Sequence, residues 1–299
     1  MRAGAERLTL RLAALAVLAS VSLAEAQTPS PVEDARVAWT SGNVDFGGFS
    51  GIEVLDGGAA FLAISDRGHW ATGRLVREGG TLTGIEPTGF GPLREIRGPA
   101  LSGEDVDAEG LAIGSDGAAW VSFEAFHRIR RYDPIDGPAI NVPGPRDFAG
   151  LQNNSGLEAL AIDAAGNLYA IPERSGKLDR PFPVYRYRDG VWDADLGIRR
   201  DGAFLVTGAD FGPDGRLYVL ERDFRWLGGF SNRVRRFDLG PGGFTNEVTL
   251  LELPFGNTDN FEGISVWRDA AGATRATLVS DDNFFPLQET AIAEYILRD

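Results

Sequence analysis

The sequence predicts an all-β protein, a β-propeller with five blades. One unit, two apolar strands around a glycine-containing turn, occurs five times; its copies start roughly 50 residues apart, and none shows a helical period. A two-sheet sandwich is the alternative for an all-β chain, but it would not repeat one hairpin five times. A sixth, degenerate blade is a second alternative.

The N-terminal residues 1–26 are expected to be a secretory signal peptide. An apolar run, Leu12 to Leu23, precedes an A-x-A cleavage pattern at Ala24-Glu25-Ala26, and the segment before the run is positive through Arg2, Arg7 and Arg11. The run is shorter than the roughly 20 residues that a spanning helix needs, so an uncleaved anchor is the weaker alternative. We expect a periplasmic or secreted protein with no membrane contact after cleavage.

Residues 27–34 follow as a short disordered leader, and residues 35–299 form one domain. The repeated hairpins within it are, in order, Ser50 to Asp66, Glu109 to Glu124, Glu158 to Glu173, Thr207 to Glu221 and Glu262 to Asp281. Their turns include Asp116-Gly117, Gly166-Asn167 and Asp214-Gly215, which are hairpin signals between strands of period two.

Third strands with alternating Arg and apolar residues follow three of the hairpins, at His127 to Asp133, Pro183 to Asp189 and Asn232 to Asp238. Weaker linkers such as Leu93 to Leu101 are expected to supply fourth strands. In the last blade, Ala291 to Leu297 is the third strand, and Ala35 to Thr40 completes the sheet. The ring is thus closed by strands from both chain ends.

Acidic residues mark both ends of the hairpins. An antiparallel hairpin brings the start of its first strand and the end of its second to one rim, which places Glu109 beside Glu124 and Glu158 beside Glu173. First strands line the central channel of a propeller, so Glu109, Glu158 and Glu262 should converge near its axis.

Convergent carboxylates repel each other and lose hydration unless a cation or protons compensate. Ca²⁺ takes six to eight oxygen ligands and needs neither His nor Cys. We therefore expect a Ca²⁺ site in the central funnel, and no organic cofactor. The metal ligands would be Glu109, Glu158, Glu262, Asp281 and Asn283. The alternative is that these acids bind backbone amides of neighbouring blades or lie solvated on a rim.

Four segments, DAEGLAI (Asp107 to Ile113), NSGLEALAI (Asn154 to Ile162), LYVLERDF (Leu217 to Phe224) and DNFEGISV followed by LVSDDNF (Asp259 to Val266, Leu278 to Phe284), carry a resemblance to a known family. The chain from Phe49 to Leu297 resembles the bacterial phytase-like family, also described as "esterase-like activity of phytase". The resemblance implies a secreted β-propeller with ester or phosphoester hydrolysis.

Composition excludes several other classes. A net charge of −14 leaves no basic patch for nucleic acid, and the absence of cysteine excludes disulfides, thiolate nucleophiles and iron–sulfur clusters. The sequence contains no G-x-S-x-G, P-loop, H-E-x-x-H or dinucleotide fingerprint.

The leading hypothesis is a monomeric hydrolase acting on a small-molecule phosphate ester or other ester. Proton transfer would fall to Glu124, Glu173, Glu221 or His69, and anion binding to three arginines that each follow an acidic strand end: Arg67, Arg174 and Arg222. Two alternatives stay open, a lactonase-type propeller hydrolase and a non-catalytic propeller that binds a ligand or a protein.

Overall fold

Five antiparallel sheets of four strands are arranged as a ring, which confirms the predicted five-bladed propeller. This computed structural model describes residues 32–145, 148, 156–256 and 258–298. The predicted signal peptide, residues 1–26, lies outside the described residues, as do residues 27–31 of the predicted leader. Strand β1 begins at Val32, three residues before the predicted start of the domain.

Blades 1 to 4 are each built from four consecutive strands, and blade 5 takes its fourth strand from the N-terminal end. Blade 1 has β2 (Phe49–Leu55), β3 (Ala60–Ser65), β4 (His69–Glu78) and β5 (Thr81–Pro92). Blade 2 has β6 (Ala108–Ile113), β7 (Ala119–Phe123), β8 (Arg128–Tyr132) and β9 (Ile140–Val142). Blade 3 has β10 (Leu157–Ile162), β11 (Leu168–Pro172), β12 (Phe182–Arg188) and β13 (Val191–Ile198). Blade 4 has β14 (Leu205–Phe211), β15 (Leu217–Arg225), β16 (Gly229–Gly240) and β17 (Gly243–Leu253). Blade 5 has β18 (Phe261–Arg268), β19 (Thr274–Ser280), β20 (Ala291–Leu297) and β1 (Val32–Ala38).

The predicted hairpin turns hold glycine where the backbone requires it. Gly117, Gly166 and Gly215 have φ of +83°, +82° and +74°, a conformation that other residues adopt only at a cost. The linker Leu93 to Leu101 corrects the sequence prediction. It forms a small loop closed by one bridge, Arg94 to Ala100, because β5 already supplies the fourth strand of blade 1.

Both chain ends meet in blade 5, as predicted. β1 pairs antiparallel with β20, and the Trp39 amide extends the contact to the Thr290 carbonyl at 2.8 Å. Buried Glu294 on β20 accepts hydrogen bonds from Arg77 of blade 1 at 2.6 Å. The backbone pairing of β1 with β20 and an ion pair between blades 1 and 5 therefore stabilise the closure together.

The hydrophobic core lies between the blades. Its buried residues form five clusters, and each cluster joins the facing sheets of two adjacent blades. The first strands β2, β6, β10, β14 and β18 contact one another around the axis. The cavity on that axis is only about 10 Å³, room for about one water molecule. No helix among the described residues has the length and apolar character to cross a membrane.

Candidate functional site

Each first strand carries a β-bulge at one equivalent position. The pairing of the first and second strands skips a residue there in every blade, and a bulge re-aims the side chain of the skipped residue. We call these five residues the inner ring: Ser50, Glu109, Glu158, Thr207 and Glu262. All of them lie at the end of the propeller where the first strands begin, which we call the funnel end.

The residue after each inner-ring position is glycine or alanine because the strands approach closely at the axis. A Cβ on Gly208 would lie 2.6 Å from the Glu262 carbonyl oxygen, and a Cβ on Gly263 would lie 2.9 Å from the Gly51 Cα. The E-G pattern in the sequence thus has a steric origin as well as a chemical one.

A second ring lies where the second strands end. In all four of its acidic positions the backbone amide donates to the carbonyl of the residue two places before the inner ring. The Asp66 amide donates to Gly48 at 2.8 Å, the Glu124 amide to Asp107 at 2.8 Å, and the Asp281 amide to Asn260 at 3.0 Å. The Glu173 amide donates to Gly156 at 3.1 Å in the same way. We define the second ring as Asp66, Glu124, Glu173, Arg222 and Asp281.

Blade 4 differs from the other four, because its second-ring residue is an arginine. Arg222 pairs with Leu205, two places before Thr207, and it follows Thr207 by fifteen residues, the same interval that separates Glu109 from Glu124. Its Nη1 donates to the side chains of Glu262 and Asn260, and its Nη2 lies 3.9 Å from Glu173 Oε1. The positive charge of Arg222 therefore balances part of the negative charge of the acidic cluster.

The tightest group of acids belongs to blade 2. One carboxylate oxygen each from Asp107, Glu109 and Glu124 lies within 4.8 Å of the others. Glu124 is held in place because its Oε1 accepts a hydrogen bond of 2.6 Å from the Gly156 amide of blade 3. These are oxygen donors of the kind that a hard divalent cation such as Ca²⁺ prefers, so the residues present fit that ion.

The electrostatics show that the acids of several blades act on one another. Burial raises the pKa of Glu109 well above its usual range, and Glu262, Asp107 and Glu124 raise it further. Burial and the charge of Glu109 likewise raise the pKa of Glu158. The same causes, burial first and then Glu262, raise the pKa of Asp66 to about 7 and that of Asp281 to about 8. Without a bound cation these groups keep their protons to a higher pH than ordinary carboxyl groups do.

Seven of the residues predicted from the sequence share this site: Glu109, Glu158, Glu262, Asp281, Glu124, Glu173 and Arg222. Arg67 and Arg174 lie at its rim. The Arg67 guanidinium carbon is 3.1 Å from the centroid of the Phe284 ring, and Arg174 Nε donates to Glu173 Oε2 at 2.8 Å.

Glu221 is a correction. It was predicted at the rim, but its side chain is fully buried in blade 4, where it accepts hydrogen bonds from Arg233 at 2.6 Å and Arg235 at 2.7 Å. Side chains alternate between the two faces of a strand, so a shift of one residue from Arg222 sends Glu221 to the opposite face. The second-ring residue lies seven positions after the turn glycine, Gly117, Gly166 or Gly215, and in blade 4 this count gives Arg222 rather than Glu221.

His69 and Asn283 are also placed differently from the prediction. The His69 ring stacks on Phe90 with centroids 5.1 Å apart, and burial lowers its pKa. Asn283 is exposed: its amide group donates to Gln288 at 2.7 Å, and only its backbone N–H, which donates to Asp281 Oδ1 at 2.7 Å, contacts the site. Neither side chain joins the acidic rings.

Sequence reasoning did not assign three members of the site: Asp66, Asp107 and Asn260. Asp107 and Asn260 each lie two residues before an inner-ring glutamate, and the Asn260 amide donates to Glu262 at 3.1 Å and to Asp281 at 3.3 Å. The pattern of Asp or Asn, any residue, Glu and Gly, visible in blades 2 and 5, was the available signal.

Comparison with known proteins gives one match in sequence. A family model described as "Phytase-like: Esterase-like activity of phytase" matches residues 44–284. A search of curated proteins gave no match.

Solved structures match in fold. A luciferin-regenerating enzyme aligns at 11% identity over 89% of this chain and 95% of its own, with a TM-score of 0.50. Also similar are the PQQ-bound aldose sugar dehydrogenase of Streptomyces coelicolor (15% identity, 88% and 98% coverage, TM-score 0.46) and virginiamycin B lyase of Staphylococcus aureus (13%, 88% and 99%, 0.44). At these identities the likeness concerns the fold alone.

Proposed function

The chain belongs to the phytase-like family, and from that premise we propose that it hydrolyses a phosphate ester or another ester with the help of a Ca²⁺ ion in its acidic funnel. The observation that carries the proposal is the cluster of Asp107, Glu109 and Glu124, whose carboxylate oxygens lie within 4.8 Å of one another. These residues would hold the ion, with Glu158 and Glu262 completing the oxygen donors. When bound there, Ca²⁺ would polarise the ester and lower the pKa of a water molecule.

The remaining residues have roles that follow from their positions. Arg222 has five N–H donors and a planar shape that suits phosphate or carboxylate oxygens. Its Nη1 is committed to Glu262 and Asn260, so Nη2 and Nε are the donors that would contact an anionic substrate group. A second-ring carboxylate that does not hold the ion, Asp66 or Glu173, would accept the proton of the attacking water. For Asp66, burial and then the charge of Glu262 raise the pKa to about 7, a value that suits a general base near neutral pH.

The direct test is an assay of the purified protein against p-nitrophenyl phosphate, p-nitrophenyl butyrate and a γ-lactone, each with CaCl₂ and with EDTA. We expect Ca²⁺-dependent turnover of one of the first two substrates, reduced more than about tenfold by Glu109→Gln. Glu78→Gln, an exposed acid at the opposite end of blade 1, is the matched control and should leave turnover unchanged. Turnover of the lactone alone would replace the proposal by a lactonase, and turnover of none by a binding propeller.

Export belongs to the proposal as well. The signal pattern in residues 1–26 is the support for a periplasmic or secreted protein, and N-terminal sequencing of the mature protein should begin at Gln27.

A further inference from the structure

Exposed apolar side chains concentrate on the funnel-end loops. Four of the five blades carry such residues on the loop between the second and third strands, which lies beside the acidic rings. Trp226 is 88% exposed, Leu227 is 97% exposed and Leu287 is 85% exposed. The other members of this apolar collar are Phe126, Leu178, Phe224 and Phe285. Exposed apolar groups gathered in one place mark a binding surface more often than a solvated one.

One of these connections, the β15–β16 hairpin of blade 4, rises directly from Arg222. The β15–β16 ladder continues to the pair Arg225 and Gly229, three residues beyond Arg222, which is about 10 Å of extended strand. Aromatic rings follow the same path. The Arg222 guanidinium carbon lies 5.8 Å from the Phe230 ring centroid, and Phe230 lies 5.0 Å from Phe224. An apolar surface therefore runs from the site to the hairpin tip at Trp226 and Leu227.

The hairpin is held in its position rather than loosely attached. The Arg225 guanidinium carbon lies 4.0 Å from the ring centroid of Phe255, which belongs to the connection between blades 4 and 5. A fixed hairpin presents its tip without the entropic cost of ordering a loop when a ligand binds.

The loop of blade 5 is fixed in a similar way. Asn283 and Phe284 have φ of +47° and +49°, a conformation that non-glycine residues hold only when surrounding contacts impose it. The contact here is the Phe284 ring beneath Arg67. This loop exposes Phe285 and Leu287 at the same end of the molecule.

The charge around the site opposes a polyanionic substrate. Arg222 is paired with Glu262, and Arg174 with Glu173, so the guanidinium groups near the rings already serve acids of the protein. A ligand with many phosphates would meet further buried acids, among them Glu109, whose pKa is raised first by burial and then by Glu262, Asp107 and Glu124. One bound divalent cation and Arg222 suit a single anionic group.

We infer that the substrate is an amphiphilic monoester, with one reacting ester group in the funnel and an alkyl or aromatic part lying along the β15–β16 hairpin against Phe224, Trp226 and Leu227. This inference rests on the proposed function for the site itself. The apolar collar is continuous with the acidic rings, which favours a substrate over a separate partner. A protein with a net charge of −14 is also repelled by an anionic lipid surface.

The first experiment compares p-nitrophenyl butyrate, hexanoate and octanoate, whose ester groups are equally reactive. We expect kcat/KM to rise by up to roughly fourfold for each methylene that the hairpin buries. The double variant Trp226→Ser, Leu227→Ser should remove this rise, so that the three esters give nearly equal kcat/KM values. Val191→Ser removes a side chain that is 67% exposed at the opposite end of the propeller, and it should keep the rise. An equal slope in the parent and the double variant would overturn the inference.

The second experiment measures binding without turnover. Trp226 is the one tryptophan in the chain that is largely exposed, so its emission should shift to the blue when octylphosphonate binds in the presence of CaCl₂. Trp226→Phe should abolish the shift, and myo-inositol hexakisphosphate should produce none. A shift without turnover of any ester would refute the proposed hydrolase and keep the ligand class. Turnover of an ester with neither a chain-length effect nor an emission shift would keep the proposed hydrolase and refute the amphiphilic substrate.

Two other outcomes would reassign the collar. If the parent protein sediments with phosphatidylcholine vesicles and the double variant does not, the collar is a membrane contact. If the parent protein forms a concentration-dependent dimer and the double variant does not, the collar is an interface between two copies of this chain. Either result, in the absence of the chain-length effect, would replace the amphiphilic substrate.

Discussion

Glu221 and Arg222 are neighbours in the chain and have opposite surroundings. Glu221 is fully buried between two arginines of β16, whereas Arg222 faces the acidic funnel and contacts Glu262. A buried ion pair adds little net stability, but removing one partner leaves an uncompensated charge that costs several kcal/mol. The two residues should therefore respond to substitution in different ways.

Substitution of Glu221 should act on stability. Glu221→Gln removes the buried carboxylate that Arg233 and Arg235 share and leaves each with one partner nearer the surface, Asp201 and Glu247, so we expect the free energy of unfolding to fall by about 3 kcal/mol in urea titrations. The folded fraction should keep its Ca²⁺ affinity, since Glu221 does not contact the funnel. A loss of Ca²⁺ affinity with unchanged stability would contradict this placement.

Glu109 should show the opposite behaviour. Its pKa is raised by burial and by acids of three blades, so Glu109→Gln removes repulsion in the metal-free protein. In EDTA at pH 8 the Tm of the variant should equal or exceed that of the parent, while the rise in Tm with added Ca²⁺ should shrink. A clear drop in Tm in EDTA would mean that Glu109 serves as a hydrogen-bond acceptor between blades.

The acids of the inner ring could be predicted from the sequence, because Glu109, Glu158 and Glu262 begin equivalent strands. Arg222 was predicted as an anion-binding residue because it follows Glu221, but its place in the second ring could not be found by searching for acidic residues, since blade 4 has an arginine where the other blades have an acid. Asn283 was assigned to the site wrongly, for another reason. Its φ of +47° turns the chain, so its side chain leaves the site that Asp281 enters.

At the scale of the elements, the five bulged strands explain why acid and glycine occur together. The bulge directs the acid to the funnel, and the small residue after it lets adjacent first strands approach. The strand count and the hairpin turns were predictable from alternation and from turn glycines. The linker Leu93 to Leu101 was assigned wrongly because its apolar residues resemble a strand while β5, rich in Gly and Thr, carries a weaker signal.

Gly208 tests this packing. In Gly208→Ala the new Cβ would lie 2.6 Å from the backbone oxygen of Glu262. A backbone atom cannot move aside as the end of a flexible side chain can. We expect the free energy of unfolding to fall by about 1–3 kcal/mol. Gly242→Ala is the control, since a Cβ there meets nothing within 4 Å, and it should stay within about 0.5 kcal/mol of the parent. Equal stability of the two variants would show that the first strands can separate freely.

For the whole molecule, buried acids at both ends of the first strands link stability to protons. At the end opposite the funnel, buried Asp210 accepts a hydrogen bond of 2.6 Å from the Val266 amide, and burial raises its pKa to about 7. At the funnel end, Asp66 and Asp281 have pKa values of about 7 and about 8. The corresponding value in the unfolded chain is about 3.9.

These shifts fix the sign of the pH dependence. A carboxyl group whose pKa is higher in the folded protein binds more protons there, so its stabilising contribution is complete below the unfolded pKa and is lost as the pH rises through the folded pKa. In EDTA the Tm should therefore fall steadily between about pH 5 and pH 9. Excess Ca²⁺ should flatten the part of this dependence that comes from the funnel, since the cation replaces the protons, and leave the part from Asp210. Differential scanning calorimetry in both conditions measures the two slopes. A metal-free protein that becomes more stable toward pH 9 would mean that these carboxyl groups are ionised and paired in the folded state.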